Sequence, residues 1–189
     1  MSRKVLSELL RENPVISAVN SLDGLDKSLT CESGIAFVLF GDVLSIGEHV
    51  AKIKESGRVV FVHIDLVEGL AARDIAVDYL AQSTQVDGII STKAGILRRA
   101  KALGLFTIQR FFVLDSMALV NIKKQIPFES ADAIEILPGA MPKVIKTIAG
   151  FTRKPIIASG LINDKEDVMG ALDAGVMSVS SSNCDVWFL

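Results

Sequence analysis

The sequence predicts a single-domain α/β protein, a compact TIM-type (β/α)8 barrel over residues 1–189. Three observations carry this. Eight short apolar runs recur along the chain, helical-period segments separate them, and no linker or low-complexity tract divides the units. The runs are Val15–Val19, Ile35–Phe40, Val59–Asp65, Gly88–Thr92, Phe106–Val113, Ala133–Leu137, Pro155–Ser159 and Val176–Ser180. They are almost continuously apolar, as strands buried on both faces should be.

Residues 1–13 read as a short helix covering the bottom of the barrel. Asn20–Cys31 is a weaker helix after the first run. Leu44–Ser56 follows the second and ends at Gly57, a suitable C-terminal stop. Leu70–Gln82 follows the third, and Lys93–Leu103 precedes Gly104. Ser116–Gln125 opens on an Asp115/Ser116 cap and stops before Pro127. Pro142–Ala149 precedes Gly150, and Asp164–Ala174 opens on Asn163/Asp164 and ends at Gly175. The alternative, an open doubly wound sheet, wants a glycine-rich dinucleotide turn after its first strand. That turn reads Val19-Asn20-Ser21-Leu22-Asp23-Gly24 and has no such pattern. A closed barrel with minimal loops fits eight units into 189 residues, below the roughly 250 typical of the fold.

Composition narrows the function. Half the residues are hydrophobic, which excludes a disordered chain. No apolar run approaches the roughly 20 residues of a membrane helix. The N-terminal stretch lacks the apolar block of a signal peptide, so a cytoplasmic location is expected. Cys31 and Cys184 have no metal-ligand spacing, and His49 and His63 are the only histidines. No metal and no cofactor are therefore expected. An oligomer is compatible with the sequence.

The net charge of −2 hides an asymmetry. Residues 1–92 carry 8 Lys/Arg against 13 Asp/Glu, residues 93–154 carry 11 against 4, and residues 155–189 carry 1 against 5. A basic middle third suits a local anion-binding face, or a set of ordinary solvated helices.

In a barrel of this kind, chemistry sits at the C-terminal ends of the strands. Small residues follow the last two strands: Ser159 and Gly160, then Ser181, Ser182 and Asn183. Such loops let backbone N–H groups approach a phosphate, or simply turn tightly. Lys93 is a candidate phosphate contact, Schiff-base lysine or solvated helix-start residue. Asp65 could act as a general base, hold hydroxyl groups or cap a turn. Glu135 sits in mid-strand, where a buried carboxylate needs a partner, and Arg110 on the adjacent strand is the obvious one. The pair could be structural or could bind ligand. His63 reads as a satisfied core histidine. No Ser/His/Asp triad, two-histidine metal motif or P-loop is present.

Several strings, in order, resemble one family. They are His63-Ile64-Asp65-Leu66-Val67-Glu68-Gly69, Gly88-Ile89-Ile90-Ser91-Thr92-Lys93 and Ile108-Gln109-Arg110-Phe111-Phe112-Val113-Leu114-Asp115-Ser116. Ile134-Glu135-Ile136-Leu137-Pro138-Gly139, Pro155-Ile156-Ile157-Ala158-Ser159-Gly160 and Val179-Ser180-Ser181-Ser182-Asn183 continue the match towards Trp187. The family is the glycerol-3-phosphate-responsive antiterminators, the glycerol uptake operon regulators. The resemblance implies a barrel that works as a sensor rather than an enzyme. Its ligand would be glycerol 3-phosphate, and its partner the leader mRNA of glycerol-utilisation genes, where it allows transcription past a terminator. The alternative from another class is a small phosphometabolite enzyme: an isomerase, aldolase or phosphodiesterase. The family usually has a glycine pair after strand 7, where this chain has Ser159 and Gly160. With this resemblance, Arg98, Arg99, Lys101, Lys123 and Lys124, on successive outer helices, become candidate RNA contacts.

Overall fold

The computed structural model describes residues 3–126 and 131–189. Residues 1–2 of the predicted first helix and the predicted stop at Pro127 lie outside the described residues. Eight parallel strands close into a barrel in chain order. They are β1 (Val15–Val19), β2 (Ile35–Val38), β3 (Val59–His63), β4 (Gly88–Ser91), β5 (Phe106–Phe112), β6 (Ala133–Leu137), β7 (Ile156–Ser159) and β8 (Ser178–Ser181). The barrel closes where Ile16 of β1 pairs with Ser180 of β8. The helices are α1 (Arg3–Glu12), α2 (Leu22–Ser28), α3 (Ile46–Glu55), α4 (Asp74–Ser83), α5 (Ala94–Ala102), α6 (Ser116–Gln125), α7 (Pro142–Ala149) and α8 (Lys165–Asp173). No helix among the described residues is long and apolar enough to cross a membrane.

Every predicted run overlaps a strand; β8 extends one residue beyond its run, to Ser181, and several shifts at the ends have local causes. β3 stops at His63 because Ile64–Leu66 wind into one 3-10 turn, which lifts Asp65 out of the sheet and onto the rim. Asp42 Oδ1 accepts from the N–H groups of Leu44 and Ser45, so the chain makes an Asx-type turn before α3 can begin at Ile46. Arg73 is extended, which delays α4 to Asp74.

The apolar residues form three cores. One lies between the sheet and α2–α5, a second between the sheet and α6–α8, and the third fills the barrel itself. The interior core is built from Ile16, Phe37, Phe61, Phe106, Ile108 and Ile157, with Leu6 and Leu10 of α1 plugging the bottom. Both leucines are fully buried. At about 1.5–3 kcal/mol for each such side chain, the plug contributes substantially to stability. Ser178 Oγ ties it down by donating to the Leu10 carbonyl at 2.8 Å.

The Phe61 ring fits in the lower barrel because Gly88 of β4 offers no side chain against it. A Cβ on Gly88 would overlap the Phe61 ring and approach the Phe106 carbonyl oxygen to 2.9 Å. Gly88→Ala should therefore cost about 1–3 kcal/mol by overpacking, measured by denaturant unfolding. Adding Phe61→Leu should recover part of that loss, because methyl and ring compete for one volume. Strictly additive costs would show that they do not compete.

Candidate functional site

Above the phenylalanine layer the interior changes character. Five positions near the C-termini of β3 and β5–β8 are polar and buried: His63, Arg110, Glu135, Ser159 and Ser180. Arg110 and Glu135 are register partners on β5 and β6, so their side chains leave neighbouring strands at the same height. Arg110 Nε donates to Glu135 Oε2 at 2.6 Å, and its Nη2 to Oε1 at 3.2 Å. Such a two-pronged pair fixes the guanidinium plane. Glu135 has no exposed surface, and Ser180 Oγ is 3.4 Å from its Oε1. Ser180 in turn meets Ser159, with their Oγ atoms 3.1 Å apart.

Arg110 forms one wall of a cleft of about 340 Å³ whose rim is made by the loops after β7 and β8. All five residues predicted for the phosphate loops line it: Ser159, Gly160, Ser181, Ser182 and Asn183. Their roles differ. Ser181 Oγ donates to the Ile162 carbonyl and accepts from the Asn183 N–H. Asn183 donates to the Asn163 carbonyl and caps the 3-10 turn Cys184–Phe188 through the Asp185 N–H. These two side chains build the loop and lock it to the loop after β7. Trp187 Nε1 braces it from outside by donating to the Ser181 carbonyl at 2.7 Å. Ser182 is exposed at the rim.

The serine in place of the family's first glycine costs no backbone strain. The left-handed positions are the next two, Gly160 at φ 75° and Leu161 at φ 58°. Glycine adopts that conformation freely, whereas leucine does so at a cost of order 1–3 kcal/mol. Leu161 is also 65% exposed, so a strained apolar residue stands at the mouth of the cleft.

Across the mouth, Asp65 Oδ2 accepts from Ser91 Oγ and the Thr92 N–H, both at 2.9 Å. The Lys93 ammonium, 59% exposed, lies 3.8 Å from Asp65 Oδ1. Asp65 is thus held as a turn cap, and its Oδ1 is buried without a hydrogen-bond partner among the described residues. His63 corrects the sequence reading. It is buried as expected but not satisfied, because its Nδ1 has no hydrogen-bond partner. Burial, and then the positive charge of Arg110, push its pKa down to about 4, so the imidazole is neutral.

A second cleft of about 380 Å³ lies at the opposite end of the barrel, against Asn13, Pro14 and Trp187. It carries Glu12 and Glu32 with no Lys or Arg, the wrong charge for an anion.

The predicted basic face is divided. Arg99 turns to Asp78 on α4, with Nη2 2.6 Å from Oδ1, and Lys101 reaches Asp132 at 3.0 Å. Lys123 lies over the Phe151 ring at 5.8 Å. Arg98 and Lys124 are exposed.

Ser180 and the unsatisfied state of His63 were not read as site features from sequence. The period of two along β8 (Ser178, Ser180, Ser182) places Ser180 on the same interior surface as Glu135 and could have found it.

The sequence as a whole matches the family model described as glycerol-3-phosphate responsive antiterminator, over residues 15–187. The chain belongs to this antiterminator family. A relative in Escherichia coli (strain K12), the uncharacterized protein YgcP, is 44% identical over 97% of this chain and 96% of its own length. The glycerol uptake operon antiterminator regulatory protein of Listeria monocytogenes is 32% identical, covers 92% of this chain and 94% of its own, and superposes with a TM-score of 0.87. The glycerol uptake operon antiterminator-related protein of Thermotoga maritima is also 32% identical, covering 93% and 98%, with a TM-score of 0.82. An epimerase and two aldolases share the barrel at 12–15% identity, which shows the fold alone.

The buried neutral histidine of this antiterminator-family barrel has a measurable consequence. Between pH 6.5 and about 4 the unfolded chain protonates His63 while the folded chain does not. The unfolded state then binds more protons, so stability is full above pH 6.5 and falls as pH drops through that window. Denaturant midpoints of His63→Leu should decline less steeply than wild type between pH 7 and 4.5. Parallel curves would mean that the imidazole protonates in the folded protein.

Proposed function

We propose that this protein is a glycerol-3-phosphate-gated RNA regulator that allows transcription through leader terminators of glycerol-utilisation genes. The observation that carries the ligand reading is the buried Arg110, aimed by Glu135 into the cleft below the β7 and β8 loops. An anion entering that cleft would meet the N–H donors of a fixed guanidinium, and the small loop residues Gly160 and Ser182 at the rim let peptide N–H groups come close to it. Asp65 and Lys93 stand after β3 and β4 at the same end of the barrel, residue types suited to the hydroxyls and the charge of a short phosphorylated polyol. Glu135 positions Arg110 rather than touching ligand. The family description and the names of the Listeria and Thermotoga relatives support glycerol 3-phosphate as that ligand. They also support a regulatory rather than an enzymatic role.

RNA would bind on the outer surface of α5 and α6. Arg98, Lys123 and Lys124 are the contacts we favour, with Arg99 and Lys101 at the edges because acidic neighbours already engage them. Ligand in the mouth can raise RNA affinity only by binding the RNA-competent state more tightly than the other.

Calorimetry and RNA binding to a glycerol-operon leader test both halves. Ser182→Asp places a carboxylate on the exposed rim without disturbing the core. It should weaken glycerol 3-phosphate binding about tenfold or more by like-charge repulsion and abolish the ligand response, leaving ligand-free RNA binding unchanged. Arg98→Ala, Lys123→Ala and Lys124→Ala together should weaken RNA binding and flatten its log–log salt slope by about 2, since each phosphate contact contributes about 0.7 on a single strand. Unchanged RNA affinity and slope would move the RNA surface elsewhere. Turnover of a phosphometabolite with no RNA binding would return the enzyme reading.

A further inference from the structure

Helix α6 buries one residue, Ile122, whereas each of the other seven helices buries at least two. Yet α6 is not a polar helix. Met117 and Val120 are 61% and 45% exposed, and Leu114, just before its N-cap, is 86% exposed. Met117, Val120 and Lys124 recur at spacings of three and four, so they form one stripe along the helix. Ile122 and the cap residue Ile126, both buried, lie on the opposite side. A surface helix ordinarily turns its apolar side to the core and its polar side to water. Helix α6 carries a second apolar stripe that points away from the core.

The chemistry of the stripe narrows what can cover it. A small molecule needs a concave site, and this is the convex outside of a helix. Single-stranded RNA needs aromatic platforms and several cations, and the stripe offers no aromatic ring and a single lysine. A second helix fits, because side chains at these spacings form ridges that pack into the grooves of another helix. The charges say which helix. Asp115 stands exposed at the N-terminal end, where its Oδ1 caps the Ala118 N–H, and Lys123 and Lys124 stand at the C-terminal end. An antiparallel copy of α6 brings each lysine end against an aspartate end and sets the two helix dipoles head to tail. A parallel copy would place like charges together. The stripe is therefore complementary to itself about a two-fold axis.

We propose that the outer stripe of α6 is a homodimer interface, with two copies packed antiparallel about a two-fold axis near Val120. The two Val120 side chains meet at the axis, with a Met117 on either side. Lys124 of each copy reaches Asp115 of the other, its aliphatic stem lying along that copy's Leu114. The basic residues of α5 stay outside the contact, where salt screens their mutual repulsion. One helix from each copy makes an interface at the small end of the specific range, about 1,200 Å² in total or less. The dimer is therefore reversible, with a dissociation constant on the order of micromolar. The proposal does not depend on the ligand reading of the cleft.

Sedimentation equilibrium over about 1–300 μM protein in about 0.15 M salt tests this. Wild type should pass from monomer to dimer as concentration rises. Val120→Glu sets two carboxylates against each other at the axis and should weaken association at least about tenfold. Its denaturant midpoint should stay close to that of wild type, because the side chain it replaces is partly exposed and outside the core. Lys124→Glu should weaken association too, and adding Asp115→Lys should restore part of it, since the two charges are then exchanged in both copies. A wild type that stays monomeric throughout, or a dimer that Val120→Glu leaves intact, overturns the proposal. If wild type is monomeric and Met117→Ser with Val120→Ser weakens binding to a glycerol-operon leader, the stripe belongs to RNA instead.

Discussion

Everything at the barrel mouth depends on one buried ion pair. Arg110 and Glu135 are 6% and 0% exposed, and the two hydrogen bonds between them fix the guanidinium in one plane. Stability alone does not explain such a pair. Desolvating two charges offsets most of their attraction, and apolar side chains of similar volume often serve a core equally well. The lower barrel shows that alternative, filled by Phe37, Phe61 and Phe106. What the pair adds is a buried guanidinium, charge-balanced by Glu135 and fixed at one wall of a cleft, with Glu135, Ser180 and Ser159 linked to it. Burial, and then the same charge nearby, keep His63 neutral.

The loops around this guanidinium are tied together by hydrogen bonds that extend to Trp187. Trp187 donates to the Ser181 carbonyl, Ser181 donates to the Ile162 carbonyl, and Asn183 holds the Asn163 carbonyl. The β7 and β8 loops are thereby joined into one frame with the C-terminal turn packed against it. Leu161, in its left-handed conformation at the rim, is the place where that frame holds strain.

Much of this was legible in the sequence. Continuous apolar runs showed strands buried on both faces, and their alternation with capped helices showed the barrel. Glu135 in mid-strand demanded a cation, and Arg110 on the adjacent strand supplied it. The small residues after β7 and β8 fell together as expected. Other features were not legible because they depend on three-dimensional placement. Whether Ser159 carried the left-handed turn could not be known until φ showed it at Gly160 and Leu161. The orphaned Nδ1 of His63 is a missing contact, and no residue pattern encodes one. The basic third looked like one stripe, yet Arg99 is drawn to α4 and Lys101 to Asp132, because ion pairs form with whichever neighbour the fold supplies.

The central claim is that Arg110 and the β7 and β8 loops bind the phosphate of a small ligand. A crystal structure of the protein with glycerol 3-phosphate tests it most directly. The account predicts phosphate density between Gly160 and Ser182, with the Arg110 guanidinium within hydrogen-bonding distance and its pairing to Glu135 retained. Phosphate bound at any other place, such as the basic face of α5 and α6, with the Arg110 cleft holding only solvent, would contradict it.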